Sequence, residues 1–141
     1  MSCEQLTAES LKESGHRLTP QRLMVISTIR HSSGHLSANE VLSKIKNSYP
    51  YIDISTVYRT LSALKENRLV SETDMGQGEA QYEWVEEEKH HHLICRRCGN
   101  VTLLDHNDLE TLSTVLGHKY KFEADIDHFA IFGLCEQCCN K

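Results

Sequence analysis

No stretch of this chain approaches the roughly 20 apolar residues needed to cross a bilayer, and its opening, "MSCEQLTAESLKESG", holds no hydrophobic signal core. No contact with a membrane is expected, and the chain is assigned to the cytoplasm. An excess of basic charge is missing too. The formal net charge is -5, with nine Lys and Arg against ten Asp and Glu through residue 85 and six against ten beyond it. That balance excludes nucleic-acid binding by bulk charge, so any DNA contact must come from a local patch. The chain also lacks an H-E-x-x-H helix, a nucleophile elbow and a phosphate loop, which argues against an enzyme. No internal repeat is visible.

What is present is an ordinary globular composition, 39% hydrophobic and 25% charged over 141 residues, enough for two small domains. Helix signals crowd the first part. An amphipathic helix is expected near residues 4–14. Thr19-Pro20 has the form of an N-cap followed by proline at the first helical position, leading into "QRLMVISTIR". Ser37 and Glu40 make a capping box ahead of Val41, Leu42 and Ile45. Asp53 can cap "ISTVYRTLSALKENRL", where Ile54, Val57, Leu61 and Leu64 recur at helical spacing and predict one buried stripe. "LVSETDMGQGEAQYEWV" reads as two short strands about a Gly76-Gln77-Gly78 turn. Helices followed by a β-hairpin make a winged helix-turn-helix.

The second part changes character. "HHLICRRCGNVTLL" predicts two strands joined at a cysteine knuckle, "DHNDLETLSTVLG" a helix stopped by Gly117, and "KYKFEADIDHFAIFGLC" a strand-like segment. The expected class is α+β: a winged-helix domain over residues 1–84 and a small α/β domain over 85–141, with a charged hinge at about 84–90.

Cys95 and Cys98, and Cys135 and Cys138, form two C-x2-C knuckles. Each knuckle presents two thiolates, and two knuckles complete a tetrahedral zinc site that would clamp the ends of the second domain. A redox pair and unligated buried thiols are the rival readings. Cys139 fits the spacing almost as well as Cys138, and Cys3 reads as a free thiol near the terminus.

Ahead of the first knuckle stand three histidines. On a strand, His90 and His92 point to one side and His91 to the other. A His-x-His pair can ligate one ion, given further donors from elsewhere. On spacing alone, His35 reads as a loop histidine and Glu83 as a solvated strand residue.

Together "RLTPQR", "STVYRTL", "HHHLICRRCG" and "GLCEQC" resemble the ferric uptake regulator family, in order and over nearly the whole chain. The resemblance implies a dimeric, metal-responsive transcription regulator, a repressor of palindromic operators, with a C-terminal dimerisation domain. It implies structural zinc on the four cysteines and a regulatory ion on His35, Glu83, His90 and His92. Iron is favoured for that ion over manganese and zinc. Zinc- and peroxide-sensing members of the family are the alternatives, followed by a zinc-ribbon protein-interaction module.

The chain departs from the family pattern in two places. Where members often carry a further carboxylate this chain has Leu103, for which Asp105 or water is a weak substitute. A second regulatory site would use His91, Glu110 and Asp127, with Lys89 at a ligand position and His128 one residue out of register.

The face of the third capped helix opposite its apolar stripe carries Ser55, Thr56, Arg59 and Ser62, with Tyr58 at the flank. Short polar residues and a long donor suit a recognition helix. Arg59 is the expected guanine or phosphate contact and Tyr58 a thymine-methyl contact, with Lys65, Arg68 and the wing adding phosphate contacts. Arg17 resembles the family's minor-groove arginine.

Overall fold

The computed structural model describes residues 3–85, 90–126 and 130–140, with side chains from residue 7 onward. Lys89, Asp127, His128 and the Cys3 side chain, all named above, lie outside the described residues. The chain divides into two compact units. One runs through Glu72 and includes Glu79–Trp84; the other takes Thr73–Gly78 and the chain from Val85 onward.

In the first unit, α1 (Cys3–Glu13), α2 (Pro20–Arg30), α3 (Ala38–Lys46) and α4 (Ile54–Glu66) precede a hairpin of β2 (Val70–Asp74) and β3 (Ala80–Trp84). Local chemistry explains three of the four helix starts. Thr19 accepts from the Arg22 N–H at 3.3 Å, Ser37 from the Glu40 N–H at 3.1 Å, and Asp53 from the Thr56 N–H at 2.8 Å. The Asp53 carboxyl lies below its usual range because the Thr56 backbone and hydroxyl bond its ionised form.

Val57, Leu61 and Leu64 of α4 are fully buried against Val25, Ile26, Ile29, Val41 and Ile45. Thr60 joins that stripe by donating its hydroxyl to the Thr56 carbonyl at 2.8 Å, which satisfies a buried polar group within the helix. Ile54, at the end of the helix, is only half-buried.

A two-residue strand, β1 (Leu36–Ser37), was not foreseen. It pairs antiparallel with β3, giving the sheet order β1-β3-β2 and the register Leu36↔Tyr82, Ser37↔Gln81.

In the second unit, β4 (His90–Cys95) is the central strand. It is flanked by antiparallel β5 (Val101–Asp105) and parallel β6 (Ala130–Gly133). A 3-10 turn, His106–Leu109, leads into α5 (Glu110–Tyr120), and α6 (Glu136–Cys139) ends the described chain.

Two expectations are corrected here. Gly117 does not stop α5, which runs on to Tyr120. The stop comes at Lys121, in the left-handed region at φ 54°, where the Lys121 and Phe122 N–H groups both return to the Leu116 carbonyl. The strand expected from Lys119 onward is confined, among the described residues, to Ala130–Gly133. Lys119 and Tyr120 still belong to the helix, and residues 121–126 form no ladder.

Leu61→Ala is expected to destabilise the first unit by about 2–5 kcal/mol, the range for a truncated buried leucine. Ser62→Ala, one residue along on the exposed face, should stay within about 0.5 kcal/mol. Urea unfolding followed by the fluorescence of Trp84, the chain's single tryptophan, reads both. Equal costs would reverse the assignment of the helix faces.

Candidate metal centres and nucleic-acid interface

The thiol cluster is built from two turns. After β4, the Cys95 N–H bonds the Asn100 carbonyl at 3.0 Å and the Gly99 N–H returns to the Cys95 carbonyl at 2.9 Å, with Gly99 at φ 75°. That reversal suits glycine. After β6, the Cys138 and Cys139 N–H groups bond the Cys135 carbonyl at 3.1 and 2.8 Å. The Arg96 N–H joins the two turns through the Gly133 carbonyl at 2.9 Å.

The Sγ atoms of Cys95, Cys98, Cys135 and Cys138 all fall within 4.8 Å of one another, and Cys98 and Cys135 stand 3.8 Å apart. A tetrahedral zinc with Zn–S near 2.3 Å places its sulfurs about 3.8 Å apart, so the cluster fits zinc. Cys139 is exposed and outside this group.

Without a cation the cluster holds on to some of its protons. The Cys98 backbone N–H, with those of Cys135 and Arg97 behind it, stabilises the Cys95 thiolate and brings that thiol down to about 6. Cys138 is pushed up to about 12, first by donating its thiol to Cys135 and then by burial. Four thiols this close do not all ionise at neutral pH unless a positive charge joins them.

The imidazole and carboxylate donors come in two pairs. In the first unit the register Leu36↔Tyr82 runs β1 back towards His35 and β3 on towards Glu83. The two side chains meet, His35 Nε2 to Glu83 Oε2, at 3.0 Å with both largely buried. Two donors about 2.1 Å from one ion and at right angles are about 3.0 Å apart, so this pair has the spacing of neighbouring ligands. In the second unit, His90 and His92 leave β4 on one face with ring centres 5.1 Å apart and planes at 88°. Two imidazoles on one ion at a tetrahedral angle lie about 5 Å centre to centre.

The register across β4 and β5 places Leu103 opposite His92 and Asp105 opposite His90. Asp105 is partly committed, since its Oδ1 accepts from the Asn107 N–H at 2.9 Å and caps the turn.

His91 faces away from that pair, is fully buried, and meets His106, Nε2 to Nδ1, at 2.9 Å. Sequence reasoning missed His106. Its signal is strand alternation: once His91 is known to lie opposite Leu104, a residue two further on falls on His91's side. Glu110 is exposed at the start of α5.

On the first unit, Ser55, Tyr58, Arg59 and Ser62 are exposed along α4, and Thr56 is half-buried. The Arg59 Nη2 lies 3.5 Å from the Thr56 hydroxyl, so its guanidinium is not pulled into the core. Arg17 is exposed, and its carbonyl accepts from Arg22 Nη1 at 2.6 Å, which pins the loop ahead of α2; Arg22's part was not foreseen. Lys65 is paired with Glu72 of β2 at 2.9 Å and is less available to phosphate than expected.

An N-terminal winged helix with a polar recognition face, carried on a chain with thiolate and imidazole–carboxylate clusters, defines a metal-dependent, DNA-binding transcriptional regulator. The model of the ferric uptake regulator family matches residues 13–131. The ferric uptake regulation protein of Bacillus subtilis is 32% identical over 137 residues, covering 94% of this chain and 92% of the relative. The peroxide operon regulator of the same organism is 29% identical over 133 residues, covering 94% and 91%. Among solved structures, the Helicobacter pylori ferric uptake regulator, described as having three functional metal-binding sites, matches with a TM-score of 0.71 at 26% identity. That match covers 97% of this chain and 91% of the other. The chain belongs to the ferric uptake regulator family, and its metals are a structural zinc and a regulatory iron, manganese or zinc. No described helix is long and apolar enough to cross a membrane.

Cys138→Ser is expected to release the tightly held zinc and melt the second unit, because structural zinc supplies on the order of 10 kcal/mol or more of apparent folding free energy in small domains. Cys139→Ser should keep both metal and fold. Zinc content after gel filtration, alongside far-ultraviolet circular dichroism, distinguishes them. The opposite result would exchange the two cysteines' roles.

Proposed function

We propose that one divalent ion, ligated by His35, Glu83, His90 and His92, switches this chain into a homodimer geometry that binds palindromic operator DNA and represses transcription. The observation that carries the reading is the His35–Glu83 pair. Two residues 48 apart in sequence converge at 3.0 Å because β1 pairs with β3. His90 and His92 supply the other two donors from β4. Iron(II) is the first expectation for the ion. Manganese(II) and zinc(II) suit the same donors, and availability rather than ligand type decides among them.

The DNA contacts are Arg17, Ser55, Thr56, Tyr58 and Arg59, with Arg59 the long donor for a base edge or phosphate. With a net charge of -5, affinity must come from presenting two such modest patches at the spacing of two half-sites. The second unit supports a homodimer. Leu103, Leu112, Val115, Phe122 and Phe132 are all exposed on a single chain, and a second copy would cover such a surface. The ion shifts a conformational population, and DNA must tighten the ion in return. The cytoplasm is where such a regulator meets its operator, and no step in this scheme needs enzymatic turnover.

Operator-binding titrations with zinc-clamped protein at fixed salt, using buffered iron(II), manganese(II) and zinc(II) separately, test the reading. His90→Ala and His92→Ala are expected to abolish metal-dependent binding while the dimer stays folded. Unchanged metal dependence in both variants would sink the ligand assignment. Arg59→Ala should cost about 1–3 kcal/mol of operator affinity in every metal state. A further arm adds hydrogen peroxide to the iron(II) form: release from DNA would favour the peroxide-sensing alternative, motivated by the relative of that name.

A further inference from the structure

We infer that His106 takes the place of a second regulatory ion on His91, so that the protein holds two metals per chain, one at the thiols and one exchangeable, rather than three. The inference rests on the proposed regulatory site and concerns the neighbouring one.

The argument is geometric. His91 Nε2 and His106 Nδ1 are 2.9 Å apart, and their ring centres are 5.2 Å apart. The difference is about one ring-centre-to-nitrogen reach at each end. Both lone-pair axes therefore lie nearly along the line joining the two nitrogens. That is the arrangement of an N–H···N hydrogen bond, in which one ring donates and the other accepts. An ion shared by the two nitrogens would sit about 2.0–2.1 Å from each, off that line, and both rings would have to turn towards it.

Burial makes turning costly. His91 is fully enclosed within β4, and β4 is held on both sides by ladders to β5 and β6. His106 is the first residue of the 3-10 turn, whose entry is capped by the Asp105 carboxylate on the Asn107 N–H. Rotating the His91 ring would leave a buried polar nitrogen to be satisfied again, at a cost comparable to a lost hydrogen bond. The pair has a positioning role as well. His91 sits between His90 and His92 on one strand, so anchoring it from the opposite face fixes the pitch at which the two ligands leave the sheet.

The test uses full-length protein with its thiol zinc retained and its exchangeable metal removed. Cobalt(II) is titrated in against a chromophoric chelator, on wild type, His90→Ala and His106→Ala. One exchangeable equivalent per chain in wild type, lost in His90→Ala and retained with several-fold weaker affinity in His106→Ala, is expected. A second exchangeable equivalent in wild type overturns the inference. A wild-type first equivalent that survives in His90→Ala instead overturns the proposed regulatory site, so the two failures are distinguishable. The second measurement is direct: a 15N–15N coupling across the His91–His106 bond in zinc(II)-loaded protein. Its persistence at saturating metal supports the hydrogen bond, and its disappearance on loading overturns it.

Discussion

Two residues of strand hold together the donor pair on which the proposed sensing site depends. Leu36 and Ser37 pair with Tyr82 and Gln81, and by continuing that register His35 reaches Glu83. The strand is short because Ser37 must do two jobs: it ends the ladder and at once caps α3 by accepting the Glu40 N–H. Leu36 and Ala38, on either side, are buried in the core formed by α2, α3 and α4. The donor pair is thus anchored to the most solidly packed part of the chain, although its two residues lie far apart in sequence. A one-residue slip of β1 would turn Leu36 out and move His35 away from Glu83, so the hydrophobic core itself enforces the spacing of this donor pair.

The second unit solves its stability problem differently. Its helix α5 buries no side chain, and among the described residues its buried apolar side chains are few: Ile94, Leu109 and the cysteines Cys95 and Cys138. A unit with so little core needs a staple. With an ion bound, the four sulfurs would provide one by joining the end of β4 to the turn after β6, the two strands that already run parallel side by side. The apolar side chains left outside, on β5, β6 and α5, follow from the same economy: surface that one chain cannot bury is available to the proposed second copy.

Features legible in the sequence were those governed by short-range chemistry. Thr19, Ser37 and Asp53 announced their helices because a capping side chain bonds an N–H only three residues away. The cysteine knuckles and the face of α4 were readable for the same reason. The failures are of two kinds, one local and the rest long-range. Gly117 looked like a stop, yet a glycine ends a helix only where the chain must go left-handed, and here the chain does so at Lys121. β1 has no local signature at two residues. Lys65 looked free for phosphate until the hairpin brought Glu72 to it. His106 required knowing which residue of β5 faces His91. The last three depend on how separate segments pair, which periodicity along one strand or helix does not contain.

The division of donors between units is also what makes an ion informative in the proposed scheme. A site whose four ligands came from one rigid element would bind metal tightly and report nothing, because its affinity would not depend on any other equilibrium. With His35 and Glu83 on the winged-helix unit and His90 and His92 on the other, full coordination exists only in the arrangements that bring both pairs to one ion. Coupling free energies between sites are typically 1–3 kcal/mol, or about 5–150-fold in affinity. A factor of that size matters here because the DNA-reading face is modest and the chain carries a net charge of -5. A strongly basic domain would bind DNA whatever the metal. The missing positive charge, which first argued against nucleic-acid binding, is the condition that lets a single ion control it.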